Sequence, residues 1–224
     1  MTFETMAIPL TSPTATPGVH MNGTGFLAKI SGQTYLATVA HIATGKEEIL
    51  DNWSLWSSDV IFWDAQGNQA GQLPLFKVQE DGLRLPEFKF VRTRDIANVL
   101  VDAILLPIPE DHPLIGLKKI FQITDSPADC HVDQMVTVIG YLKDPSWPTL
   151  EAGKHRVSGA DVPVFSISPA AVKGYSGGPV ITASGNLVGM LYGAGNDLTP
   201  GEDDGLVVAV EVLNVIAATT DGRL

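Results

Sequence analysis

GTGFLAKISGQTYLATVA, residues 23–40, reads as two runs rich in β-branched and apolar residues, separated by a turn at Ser31-Gly32-Gln33. A glycine there supplies the φ > 0 position that a tight turn needs, so the stretch predicts two strands. The same pattern recurs in VIFWD (60–64), EFKFVR (87–92), DAILLPI (102–108), QMVTVIGYL (134–142), VFSIS (164–168), GGPVITA (177–183), NLVGMLYG (186–193) and GLVVAVEV (205–212). AQGNQ (65–69) and ASGN (183–186) punctuate it as further turns. Helix is scarce: a short turn after His41, and VEVLNVIAATT (210–220) as a terminal helix with Val212, Val215 and Ile216 on one face. Many short strands with so little helix predict an all-β chain, a sandwich or a pair of barrels. TSPTATPG (11–18) is expected to be an irregular lead-in, and PEDHP (109–113) marks a boundary between two β units near 109–120.

Composition bounds the rest. A chain of 224 residues is long enough to bury roughly 70% of its unfolded surface, so neither disulfide nor metal is needed as a staple. With 45% hydrophobic and 17% charged residues, disorder is excluded over most of the chain. No apolar run approaches the ~18 residues of a membrane span. The opening MTFETMAIPL has neither a basic start nor a long apolar stretch, so no secretory signal is expected. The single cysteine, Cys130, fits a reducing compartment, and a net charge of −11 without any Lys/Arg cluster argues against nucleic acid. The expectation is a cytoplasmic protein that binds neither membrane nor nucleic acid.

The chemistry concentrates at Gly174-Tyr175-Ser176-Gly177-Gly178-Pro179-Val180. Glycines flanking a serine let the backbone turn tightly, so that the amides of Gly174 and Ser176 point into one concavity. Two such donors stabilise an oxyanion on an attacked carbonyl by ~2.7–4 kcal/mol each, with Ser176 as the nucleophile. The plain alternative is an ordinary Gly-rich β-turn. Among His20, His41, His112, His131 and His155, only His41 closes an apolar strand that could hold its ring rigidly; the others read as surface residues. An orienting acid is also required. Asp102, at the head of Ala103-Ile104-Leu105-Leu106, would be costly there unless paired, and Asp95 competes with it.

With these residues in the order His, Asp, Ser, the chain resembles the chymotrypsin/trypsin-like serine peptidases, and more closely their bacterial, disulfide-free HtrA-type relatives. The likeness covers roughly residues 20–217: Gly23-Thr24-Gly25-Phe26, Ala37-Thr38-Val39-Ala40-His41, Asp102 through Leu106, Val136 through Tyr141, Gly174 through Pro179 and Val188 through Leu191. It implies two six-stranded antiparallel β-barrels, the first over about 20–112 and the second over about 120–210, then a short helix over about 210–220. His41, Asp102 and Ser176 would form a triad in the cleft, with Asp102 favoured over Asp95 because its apolar strand runs on to Pro107 as in the family. The oxyanion amides would be those of Gly174 and Ser176. No cofactor or metal is implied, and the partner is a protein or peptide substrate.

The family pattern also implies a specificity pocket floored by Ala170 and walled by Tyr192, Gly193, Ala194 and Gly205, neutral and suited to a medium apolar side chain. Glu202, Asp203 and Asp204 could instead select a basic side chain from the pocket mouth, or form only a solvated acidic loop. Tyr175 stands where zymogen-type members carry the Asp that pairs with a newly cut N-terminus, so maturation by that ion pair is not expected. Neither is a tethered PDZ domain. Trp53, Trp56 and Trp63 are expected to pack the first barrel rather than form a ligand cage, and Cys130-His131 makes a poor metal site. Against the peptidase reading stand a catalytically silent peptide-binding module and a latent enzyme whose loop 168–173 is assembled by an activating partner protein.

Overall fold

The computed structural model describes residues 2–14, 18–44, 53–92, 101–124, 130–142, 147–160, 163–194 and 204–219. Two β units are present. The first holds β1 (Ile8–Pro13), β2 (His20–Ile30), β3 (Gln33–Thr38), β4 (Asp59–Trp63) and β5 (Gln69–Pro74). A side hairpin of β6 (Phe76–Val78) and β7 (Arg84–Pro86) follows, then β8 (Ile104–Pro107) and β9 (Ile120–Ile123). The sheet order is β5-β4-β1-β2-β3-β8, with β9 added in parallel to β2. The second unit is a closed six-stranded barrel of β10 (Met135–Leu142), β11 (Thr149–Gly159), β12 (Val164–Ser168), β13 (Pro179–Thr182), β14 (Leu187–Ala194) and β15 (Gly205–Ala209). Among the described residues, three α-helices, α1 (Ala40–Thr44), α2 (Pro113–Leu117) and α3 (Val210–Ala218), and two 3-10 turns at Phe3–Thr5 and Trp53–Leu55 complete the set. None of the described helices is long and apolar enough to cross a membrane.

The β2–β3 hairpin forms as its sequence dictates. Ile30 pairs with Gln33, so the loop is the two residues Ser31 and Gly32, at φ 48° and 88°. Two central residues with φ > 0 make the turn whose twist matches right-handed strands. Strand alternation then sorts side chains between two cores. Phe26, Ala28, Tyr35 and Ala37 face the layer between the two β units, while Leu27 and Leu36 face the interior of the first sheet. A third cluster, including Val138, Val157, Ile167 and Val180, fills the second barrel.

The all-β architecture agrees with the sequence reading, but several details differ from it. The first unit is a seven-stranded sheet that curls without closing, not a six-stranded barrel, and it begins at Ile8. Thr11 through Pro13, expected as irregular lead-in, belong to β1, where Thr11 and Ser12 are buried. Pairing with β2 along the whole of β1 outweighs their weak strand propensity. Residues 87–92 form no named strand, only isolated bridges at Lys89 (to Leu105) and Arg92, and β9, past the predicted boundary, returns to the first sheet. The terminal helix buries Val210, Leu213 and Ile216, and leaves Val215 exposed. Following directly on β15, it is rotated so that the i, i+3, i+6 row meets the inter-unit core.

Candidate active site

β3 ends at Thr38, and the chain turns at once into α1, which carries His41. β8 runs antiparallel to β3 with Thr38 opposite Ile104, so that continuing the register brings Asp102 beside the start of α1. The Asp102 carboxylate accepts two hydrogen bonds from His41. One comes from the backbone N–H to Oδ1 at 3.0 Å, and the other joins Nδ1 and Oδ2 at 2.7 Å. Both side chains are mostly buried, at 17% and 15% exposure, where a bond to a charged acceptor is strong. The carboxylate costs little to bury because both oxygens are engaged. A carboxylate oxygen can only accept, so in the neutral imidazole this contact selects the tautomer with its proton on Nδ1 and a lone pair on Nε2. Asp95, the competing acid, lies outside the described residues.

Ser176 sits at the turn before β13. The carbonyl of Val172 accepts from the Tyr175 N–H at 3.3 Å, closing a four-residue turn over 172–175. Gly174, its third residue, has φ 104°. A positive φ at that place and a negative one at Lys173 define a type II turn, which glycine makes without strain. Next, Gly178 N–H donates to the Tyr175 carbonyl, and Gly177 N–H to the Leu191 carbonyl, each at 2.7 Å. Among the described residues, no acceptor takes the N–H of Gly174 or of Ser176. Those two donors therefore stand uncommitted, between neighbours whose amides are bonded.

Close packing brings the two halves together. A Cβ at Gly23 would lie 2.6 Å from Ile42 Cδ1 and 3.2 Å from the Ser176 carbonyl, so the neighbour of His41 and the backbone of Ser176 meet across this glycine. At Gly177, φ is +84°, and a Cβ would lie 2.0 Å from the Thr24 carbonyl. The first-sheet strand β2 is thus pressed against the Ser176 turn, which only glycines allow.

Tyr175 explains how the turn is held without a zymogen-type Asp. Its ring is buried in the second barrel against Gly140, and its hydroxyl donates to Glu151 Oε2 at 3.2 Å. Burial, then the Glu151 charge, push its phenol far above the ordinary range, so it stays a neutral donor.

The expected pocket residues separate. Ala170 is half-buried, and Gly205 is buried, pairing with Ile167 across β12–β15. A Cβ on Gly205 would meet Ile167 Cγ1 at 3.0 Å and the Ala171 N at 3.4 Å. Gly193 is half-buried on β14, and Ala194 ends that strand opposite Gly205. Tyr192 differs from expectation: it packs on the inter-unit core and feels the charge of Asp102. Burial first, and then that charge, raise its phenol. On β14 Leu191 packs into the second barrel, while Tyr192, at the register shift between Leu191 and Gly193, packs on the inter-unit core. Of the acidic trio, Asp204 is described, and its carboxylate accepts from Ser158 Oγ on β11 at 2.7 Å.

Other expectations resolve as packing. Trp53 and Trp56 form an aromatic cluster with Phe76 and Phe88, while Trp63 Nε1 donates to Thr11 Oγ1. His155 is buried rather than exposed, its Nδ1 2.6 Å from the Pro169 carbonyl. The inward-facing register of β11 places it there, a signal too weak to read from one residue. Cys130 is half-buried against the second-barrel core, and among the described residues no three His, Cys, Asp or Glu side chains gather as a metal site. Thr24, quoted above only as part of a strand motif, is fully buried and hydrogen-bonded to the Ser176 turn.

The model of the trypsin-like peptidase domain matches residues 23–190. The chain belongs to this family of trypsin-like serine peptidases. Among solved structures it is similar to the active form of the Rv3671c protease from M. tuberculosis, at 21% identity and TM-score 0.55, covering 98% of this chain and 83% of that one. The inactive form of the same protease gives 21% and 0.54, covering 96% and 89%. An HtrA-type protease, AlgW, with a tripeptide gives 15% and 0.57, covering 93% of this chain and 57% of that one. No curated protein matches. Likeness to active and inactive forms is nearly equal, so the overall fold does not discriminate between them and the local geometry must.

Proposed function

We propose that the chain hydrolyses peptide bonds through His41, Asp102 and Ser176. The observation that carries this reading is the Asp102 carboxylate engaged by both the backbone N–H and Nδ1 of His41, which orients the ring and reserves Nε2 as a base. Ser176 Oγ attacks the scissile carbonyl carbon as His41 Nε2 takes its proton, and the carbonyl π pair moves onto oxygen. The uncommitted amides of Gly174 and Ser176 receive that oxyanion. Collapse of the tetrahedral species breaks the C–N bond, and the amine leaves with the proton from His41. Water then repeats the sequence on the acyl-enzyme, returning the proton to Ser176. Asp102 stabilises the imidazolium in both halves.

The type II turn supports an oxyanion site formed in the free chain rather than one assembled by a partner, since Gly174 already has the positive φ and an unspent N–H. For specificity, Ala170, Gly193, Ala194 and Gly205 supply no charge, and Ile167 abuts Gly205. Asp204 is held by Ser158, which favours a neutral, apolar primary pocket over one that selects Lys or Arg.

Treatment with a fluorophosphonate probe, followed by peptide mass spectrometry, tests the assignment. The expected adduct is on Ser176 and disappears in Ser176→Ala and His41→Ala. Absence of labelling in folded wild-type protein would sink constitutive catalysis and leave a peptide-binding or partner-activated role.

A further inference from the structure

Thr24 lies on β2 of the first sheet, fully buried, yet four of its hydrogen bonds reach the Ser176 turn, the second barrel or β3. Its hydroxyl donates to the Gly174 carbonyl at 3.0 Å and accepts from the Tyr141 N–H at 3.0 Å. Its backbone N–H donates to the Ser176 carbonyl at 2.8 Å, and its own carbonyl accepts from Thr38 Oγ1 at 2.8 Å. A hydroxyl has one proton to give and lone pairs to receive, and this one gives its proton to one backbone group of the other β unit and receives from another.

The geometry of those bonds is specific. The N–H of Ser176 belongs to the peptide joining Tyr175 and Ser176. Thr24 holds the carbonyl of the peptide before it, at Gly174, and that of the peptide after it, at Ser176. The first sheet, which also carries His41 and Asp102, is thereby fastened to both sides of the nucleophile's own amide. We infer that Thr24 is a positioning residue for catalysis: its hydroxyl sets the Gly174–Ser176 turn in register with His41. The inference rests on the peptidase reading above. The backbone bond to Ser176 survives any substitution, so the hydroxyl is the separable part.

Thr24→Val keeps shape and β-branching but removes that donor and acceptor, leaving the Gly174 carbonyl and Tyr141 N–H unpaired. Thr24→Ser restores the hydroxyl. Fluorophosphonate kinetics separate attack, kinact, from probe binding, KI. A displaced turn lowers kinact by about 10- to 100-fold, leaves KI within about twofold, and recovers in Thr24→Ser. Should Thr24→Val fail to fold, Thr24→Ala against Thr24→Ser decides, since both lack the methyl and differ only in the hydroxyl. An amide NMR spectrum of the same variants reads the clamp without activity. The Gly174, Ser176 and Tyr141 resonances move in Thr24→Val and stay close to wild type in Thr24→Ser. Wild-type protein that labels, with folded Thr24→Val labelling equally fast, overturns the inference and spares the peptidase reading. Unmoved turn resonances overturn it whether or not wild type labels. Wild type that never labels counts against the peptidase reading instead.

Discussion

Gly140→Ala puts a methyl group into the support beneath the Ser176 turn. The added Cβ would lie 2.6 Å from Tyr175 Cγ, 2.7 Å from its Cα and 2.8 Å from its Cβ. Ordinary carbon contacts lie at about 3.5–4.0 Å, so Tyr175 must retreat by about 1 Å. Because Cα itself is among the obstructed atoms, no rotamer change relieves the overlap, and the peptide leading into Ser176 moves with it. Overpacking of this kind costs about 1–3 kcal/mol of stability. Displacing a nucleophile by about 1 Å costs on the order of 10²-fold in rate. The control is Val157→Ala, a truncation on β11 in the same core that obstructs no backbone atom of the turn, expected to cost about 2 kcal/mol by lost burial alone. Denaturant midpoints measure the stability of both variants, and the fluorophosphonate labelling rate measures attack. Gly140→Ala should label far more slowly than Val157→Ala at comparable stability. Equal labelling rates would refute the idea that Tyr175, resting on Gly140, sets the position of Ser176.

Asp102→Asn offers one oxygen to two donors, the backbone N–H and Nδ1 of His41, so one of them faces an NH₂ group. Labelling at Ser176 should fall about 10⁴-fold, equivalent to about 5.4 kcal/mol, with the denaturant midpoint nearly preserved. Burial, and secondarily the Glu211 charge, push the Cys130 thiol from 9.0 up to about 11. Its alkylation by iodoacetamide at pH ~8 should be about 100-fold slower than that of a free thiol and climb toward pH ~11. The native state then holds the proton more tightly than the unfolded chain, so this contribution to stability is full below 9.0 and is lost as pH rises through about 11. His112 caps α2, its Nδ1 accepting from Leu114 N–H, and desolvation lowers its pKa below 6.5 against a smaller opposing pull from Asp111. The neutral ring is the native form, so its contribution is present above 6.5 and fades as pH falls through the lowered folded value. Denaturant midpoints for wild type and His112→Asn, from about pH 7.5 to about 5, should diverge only at the acid end.

Local signals were strong where one residue had one job. Ser31-Gly32 makes its turn from its own φ preferences, and β2 and β3 follow from alternation on either side of it. His41 and Asp102 stand out as a basic and an acidic group at the ends of apolar runs, and Ser176 as a hydroxyl between flanking glycines. The pairing of Asp102 with His41 became certain only through the β3–β8 register, which joins residues sixty-one positions apart.

Long-range packing decided what short windows could not contain. β1 and β9 pair as they do because β2 offers them an edge: Thr11-Ser12-Pro13 carries little strand signal of its own, and Ile120-Phe121-Gln122-Ile123, strand-like in composition, finds its partner back across the boundary between the units. Tyr192, a plausible pocket wall by its place in the chain, packs on the inter-unit core and feels the Asp102 charge, at a register shift in β14 that no short window announces. His155 is buried because it falls at an inward-facing alternate position of β11. Taken alone, the sequence determined the all-β class, the order of the reactive residues and the glycines that shape the Ser176 turn, since backbone freedom and side-chain chemistry are properties of single residues. Tertiary structure alone decided that one threonine hydroxyl, one hundred and fifty residues from Gly174, meets that turn. A hydrogen bond of that reach exists only after two independently formed sheets have packed, and no residue announces in advance which distant carbonyl will be set before it.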